Sequence, residues 1–174
     1  MNLKKIIIYA LVIICFIGLY NLVKKMFFPS QISLINETQK KRRIRVFYIN
    51  EEGYCEAEER DIMSGATILD DIKTSLDEMS KKPLNDKLSP AVPQGSEIRS
   101  VFVDEKGCAY LDFKRNLSDK HPGGTVGELN TIKAIVRTVA SNFHDIKNIR
   151  ILMEGKDAST IAGHVDIRGK IKTK

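Results

Sequence analysis

Residues 98–113 read IRSVFVDEKGCAYLDF, and this stretch decides the fold. Two runs rich in branched and aromatic side chains, Ile98–Val103 and Cys108–Phe113, flank Asp104-Glu105-Lys106-Gly107. That is hairpin chemistry: residues that fit a pleated surface on either side, and a glycine for the positive φ that closes a short turn. The alternation places Cys108, Tyr110 and Asp112 on one face and Ala109, Leu111 and Phe113 on the other.

Working outward, the pattern alternates between strands and helices. After the hairpin comes a loop over residues 117–124, containing His121-Pro122-Gly123-Gly124, and then a predicted helix from about Val126 to Phe143. Thr125 and Glu128 have capping-box spacing at its start, and Leu129, Ile132, Ile135, Val136 and Val139 form its apolar stripe. Ile146–Met153 reads as a strand, Glu154–Asp157 as a turn and Ile161–Ile167 as a last short strand. Before the hairpin lies a loop, Lys81–Gly95, with Pro83, Pro90 and Pro93. A helix over Thr67–Met79 precedes it, with Thr67 and Asp70 at capping spacing and Ile68, Leu69, Ile72, Leu76 and Met79 on one stripe. Two strands come first, Ile44–Ile49 and Tyr54–Asp61. The order β-β-α-β-β-α-β-β predicts an α+β domain with a mixed sheet and two helices on one face.

Charge divides the 174 residues unevenly. The first 45 hold nine basic side chains and one acid, Glu37; the remaining 129 hold 19 basic and 21 acidic. The net charge of +6 therefore belongs to the N-terminal quarter, which argues against a nucleic-acid-binding domain. Ile6–Val23, IIIYALVIICFIGLYNLV, carries no charge over 18 residues, and Lys4, Lys5, Lys24 and Lys25 flank it. At a 1.5 Å rise, a helix of that length spans roughly 27 Å, close to a bilayer core. No small-residue cleavage pattern follows, and Ile14 precedes Cys15 where a lipoprotein site would want a small residue. The expectation is an uncleaved signal anchor over residues 6–23 after a cytoplasmic stub, 1–5. A basic juxtamembrane linker, 24–43, then leads to a folded domain over 44–171. Lys40-Lys41-Arg42-Arg43 reads either as a lipid-headgroup contact or as a solvated run before a strand. The flanking charges do not set the orientation. Cys55 and Cys108 read as small buried side chains or as one disulfide.

The residues offer little catalytic chemistry. Nucleotide-binding glycine motifs, zinc-protease and nucleophile-elbow motifs and C-x-x-C pairs are all absent. No catalytic, cofactor-binding or metal-ligating residue is assigned, and no cofactor is expected. The best alternative is His164-Val165-Asp166, whose first and third side chains would share one face of a strand. His121 reads as a turn residue, His144 as a cation at a helix C-terminus, Glu128 as a cap, and Asp104 and Asp112 as turn or exposed-face acids.

One succession of motifs carries a resemblance. Val92-Pro93-Gln94-Gly95 enters the first hairpin strand, and Tyr110-Leu111-Asp112-Phe113 lies in the second. Thr125–Glu128, Ala134–Val139, Ile146–Met153 with Glu154-Gly155-Lys156, and Ala162-Gly163-His164-Val165-Asp166 follow in order. Residues 44–171 resemble the GerMN domain family of sporulation and germination proteins in endospore-forming bacteria. The resemblance implies a noncatalytic, extracytoplasmic domain on a single-pass membrane anchor. Its fold would be like ring-building motifs, and it would support an envelope complex through self-association or protein partners, without nucleic acid or a small-molecule substrate. Two further readings stay open: a cell-wall hydrolase using His164 and Asp166 or His121, and a wall- or lipid-binding module using the basic cluster Lys40–Arg43.

Overall fold

The computed structural model describes residues 40–174 and, before them, 13, 15–20 and 22–23. The earlier described residues are helical and exposed. Among the described residues, no helix is long and apolar enough to cross a membrane. Much of the expected span, and Lys4, Lys5, Lys24 and Lys25 with it, lie outside them.

From Lys40 onward the chain is one compact unit. Strand β1 (Lys41–Ile49) pairs with β2 (Cys55–Met63) in antiparallel register from Lys41 opposite Met63 to Ile49 opposite Cys55. Alternation sends Ile44, Val46 and Tyr48 inward, all essentially unexposed. Helix α1 (Ile68–Glu78) opens with the expected box: Thr67 Oγ1 accepts from Asp70 N at 3.2 Å, and Asp70 Oδ2 accepts from Thr67 N at 2.9 Å. Ile72, Leu76 and Met79 are its buried stripe, while Ile68 is exposed.

The second sheet has the order β3 (Ile98–Val103), β4 (Cys108–Phe113), β5 (Asn148–Met153), β6 (Lys156–Asp157), with β7 (Ile171–Lys172) also on β5. β4 and β5 run parallel, Cys108 opposite Asn148 through Phe113 opposite Met153. A parallel pair needs a crossover, which a short helix α2 (Asn116–Asp119) and the long helix α3 (Thr125–Asn142) supply. β6 pairs with the end of β5 and β7 with its beginning.

The fold is α+β with a mixed sheet, as the pattern predicts, but the strands divide into two sheets. Each helix serves the free edge of a different one. Asn142 at the end of α3 accepts from Arg45 N (2.9 Å) through Oδ1 and donates to Arg45 O (2.7 Å) through Nδ2, as a neighbouring strand would. Thr138 Oγ1 accepts from Phe47 N at 3.1 Å. On α1, Asp77 Oδ1 accepts from Ile98 N and Lys73 Nζ donates to Ile98 O. Both edges are thereby closed to further strand pairing at these positions.

Two expectations change. The predicted last strand, 161–167, is irregular chain. Ile161 and Ile167 are buried there, and Ile167 N donates to Ser159 O, which closes a loop instead of extending a ladder. The buried face of α3 is also wider than its apolar stripe. Leu129 is exposed, whereas Glu128, Thr131, Ala134 and Thr138 are buried beside Ile132, Ile135 and Val139.

The β3–β4 turn forms as read. Gly107 has φ +76°, and Asp104 Oδ1 accepts from Lys106 N and Cys108 N. A Cβ on Gly107 would stand 2.7 Å from the Asp145 carbonyl oxygen, which is backbone and cannot swing away. Gly107→Ala adds this contact to the cost of a left-handed conformation. It is expected to destabilise the domain by about 2–3 kcal/mol, read as a lower urea midpoint at unchanged slope.

Candidate functional site

The polar residues singled out in the sequence meet at one corner, where the N-terminal turn of α3 faces the 158–168 loop. Gly124, at φ +81°, is the residue before the helix, and no side chain caps it. The expected Thr125–Glu128 capping box does not form, because the helix starts at Thr125 itself and Glu128 lies one position too deep to reach back. Its own N–H is already used on Gly124 O at 3.0 Å.

Glu128 reaches across to the loop instead. Its side chain has no exposed surface, and its carboxylate accepts from His164 N (2.9 Å), Val165 N (3.1 Å) and His164 Nδ1 (2.8 Å). Burial works against the charged carboxylate, but the donors from Val165, the His164 ring, Ala162 and His164 N outweigh it. The pKa of Glu128 stays below its ordinary value. These are the N–H groups a strand would have given to a neighbour, which is why 161–167 is irregular.

His121 sits next to this pair and is held as firmly. Gly123 N donates to its Nδ1 at 3.0 Å, so the proton resides on Nε2. Nε2 donates to Thr131 Oγ1 at 2.9 Å, and Thr131 donates to Ala91 O at 2.6 Å. Burial lowers the pKa of His121, which keeps the ring neutral. This chain of bonds ties the Pro-rich loop, the His-Pro-Gly-Gly loop and α3 together.

His164 and Asp166 do not act as a pair. With no strand between them, His164 turns to Glu128 while Asp166 accepts from Arg168 at 2.7 Å, which holds its pKa down to about 2. The Glu128–His164 contact has the form of an orienting carboxylate behind an imidazole, and the ring side chain is 46% exposed. Nucleophilic catalysis of the serine–histidine kind would need a hydroxyl or thiol bonded to that ring. The Ser118 hydroxyl donates to Ile161 O, and the Thr160 hydroxyl accepts from Gly163 N. Among the described residues, no group of three or more His, Cys, Asp or Glu side chains could hold a metal ion. Cys55 and Cys108 are free thiols. His144 stands exposed just beyond α3, whose end is closed by Phe143 N donating to Val139 O.

Two further charged residues differ from expectation. Asp112 is buried, not exposed, and accepts from Gly155 N at 2.7 Å, fixing the turn after β5 where Glu154 and Gly155 both have positive φ. Arg42, read as part of a linker cluster, is the second member of β1. It donates to Asp71 Oδ2 (2.7 Å) and Asn142 O (2.8 Å) and lies over the Phe143 ring. Arg43 meets Asp61 at 3.2 Å. Arg42 is thus spent inside the domain, whereas Arg43 pairs on the hairpin's exposed face. Nothing in the linear spacing marks these partners, since Asp71 and Asn142 lie 29 and 100 residues away from Arg42.

Glu128→Gln puts an amide N–H against backbone donors. It is expected to cost about 2–3 kcal/mol at pH 7, measured by urea unfolding. Because the folded pKa of Glu128 is depressed, its contribution is complete above about pH 4.5 and disappears as pH falls through the folded value. Between pH 5 and 3, the variant should therefore lose less stability than the parent.

A family model described as Germane, sporulation and spore germination, matches residues 45–159. No curated protein matches. The tandem GerMN domains of the Bacillus subtilis sporulation protein GerM share this fold, with a TM-score of 0.65 and 14% identity over 76% of this chain. The chain spans 46% of that tandem structure. The first GerMN domain of the same protein superposes with a TM-score of 0.64 and 14% identity, over 75% of this chain and 97% of that one. A Clostridium perfringens structure assigned as a lipoprotein gives 0.55 and 15%, over 79% and 91%.

Proposed function

The chain belongs to the Germane family of sporulation and spore germination, and from that premise we propose that it is a noncatalytic interaction domain in a spore-envelope complex. Residues 6–23 anchor it in the cell membrane by a single pass, and the folded domain lies on the extracytoplasmic side. Its partners are envelope proteins or further copies of itself, and ring-building packing is the mode of assembly that the family fold suggests.

One surface observation carries this reading. Tyr54 and Val126 are each 71% exposed and Leu129 39%, around an open hollow of about 390 Å³ between the β1–β2 turn and α3. Lys133 and Arg137 border it one and two turns further along the helix. Large apolar side chains gathered beside cations on a helix face are what a protein partner covers. The corner around Glu128 supports the same reading, because its polar atoms are spent on holding loops.

The test is a pair of variants in a sporulating culture. Val126→Asp with Leu129→Asp should lower heat-resistant spore yield at least tenfold while leaving the purified domain's melting curve unchanged. His164→Ala with Asp166→Ala should sporulate like the parent. The opposite result, with sporulation lost only in the His164/Asp166 variant although it is folded, would favour the hydrolase. Protease added to intact cells should remove the C-terminal domain if it is extracytoplasmic.

A further inference from the structure

The start of β5 carries a feature that neither the Glu128 corner nor the Tyr54 hollow uses. His144, Lys147, Lys172 and Lys174 surround an open hollow of about 330 Å³, completed by Ile146, Asn148 and Thr173. No acidic side chain lines it. The cations on either side are already neutralised: Lys170 faces Asp104 at 3.5 Å and Arg150 meets Asp157 at 2.7 Å. Lys147, Lys172 and Lys174 make no ion pair among the described residues. The concentration of positive charge is local, since residues 46–174 hold more acids than bases.

The backbone beneath the lysines is fixed on both sides. Lys172 lies opposite Asn148 in the β5–β7 pairing. Thr173 N donates to Lys147 O at 3.1 Å, and Thr173 Oγ1 donates to Ile146 O at 2.8 Å. Lys147 N donates to Gly107 O at 2.8 Å, which links the site to the β3–β4 turn. The sequence Lys170-Ile171-Lys172-Thr173-Lys174 alternates, so period two sends the lysines to one side, roughly 6.8 Å apart. Like charges at that spacing repel one another, and an anion with several oxygens relieves that repulsion. Compact ammonium groups bind phosphate as point charges. The acids nearest the hollow, Asp104, Glu105 and Asp145, line the adjoining depression on the other side of Lys147.

We propose that this hollow binds phosphate groups. Its openness suits a ligand that leaves further charges in water, either an anionic lipid headgroup or a soluble phosphate chain. The full chain, held in nonionic detergent micelles, is titrated calorimetrically at low salt with inorganic triphosphate and, separately, with glycerol phosphate. Saturable binding is expected, weakening several-fold as salt rises from about 50 to about 200 mM. Lys147→Ala with Lys172→Ala should weaken it at least tenfold, whereas the exposed pair Lys87→Ala with Lys156→Ala should change it less than twofold. Melting curves check that both variants are folded. Tighter binding of glycerol phosphate supports the site with a lipid headgroup as its ligand, and tighter binding of triphosphate supports it with a free phosphate chain. Absence of saturation with both, or equal loss in the two double variants, overturns the proposal.

Discussion

A backbone N–H taken out of water needs an acceptor, and in this domain carboxylates supply one at several of the places where the chain leaves its strands and helices. Glu128 holds residues 164 and 165, Asp112 holds Gly155, Asp71 holds Gly65, and Glu58 holds Leu84 and Asn85. Each of these acids sits on a strand or helix, and each bond lands on a turn or loop. With β6 and β7 only two residues long and a 19-residue stretch, Met79 to Glu97, joining α1 to β3, regular pairing alone leaves much backbone unpaired. Charge-assisted acceptors replace it at greater strength per bond. The cost is desolvation of each carboxylate, which is offset only while several donors converge. Glu128 and Asp71 both meet that condition and both keep lowered pKa values.

The same economy explains the composition. Residues 46–174 are slightly acidic, and a part of that acid is structural instead of solvated. Arg42 and Arg60 answer it from the hairpin. Arg60 bonds Glu58 at 2.7 Å with both side chains nearly buried, donates to Lys82 O, and lies over the Tyr48 ring. An inward-facing ion pair on a hairpin is expensive unless every polar atom finds a partner. Here the partners include the Pro83–Asn85 loop, so the pair fixes that loop's position as well as the strand's.

What could be read in the sequence follows from how far apart the interacting residues are. The β3–β4 hairpin and the Thr67 cap depend on neighbours within a turn or a few residues and appear as predicted, as does most of the α1 stripe, Ile72, Leu76 and Met79, though Ile68 is exposed. Membership of the family was likewise legible, from motifs in a fixed order. The Glu128–His164 contact joins residues 36 apart, and the Arg42–Asn142 contact joins residues 100 apart. For such pairs spacing is silent. Glu128 illustrates the difficulty well: a Thr-x-x-Glu before an apolar run has a local explanation, and the tertiary one displaced it. A hint was present in Ala162-Gly163-His164-Val165-Asp166, where a glycine and two polar residues sit poorly in a buried strand. The exposed Leu129 is the same lesson reversed, since periodicity marks an apolar position without saying which neighbour covers it.

Edge management then narrows where association can occur. α3 closes part of β1 through Asn142 and Thr138, and α1 closes the start of β3 through Asp77 and Lys73. β2 keeps an outer edge nine residues long, but it is written Cys-Glu-Ala-Glu-Glu-Arg-Asp-Ile-Met, with charge at four consecutive positions from Glu58 to Asp61 and at Glu56. Charged side chains along an edge discourage strand addition, because a partner strand must bury or answer each one. Sheet extension is therefore disfavoured along β2 and at the closed positions of β1 and β3. The outward side of α3 stays open, since Val126 and Leu129 face away from the core while Glu128, Thr131 and Ile132 occupy the inward side. The buried carboxylate that fixes the 164–165 loop thus also sets which face of its own helix is left exposed.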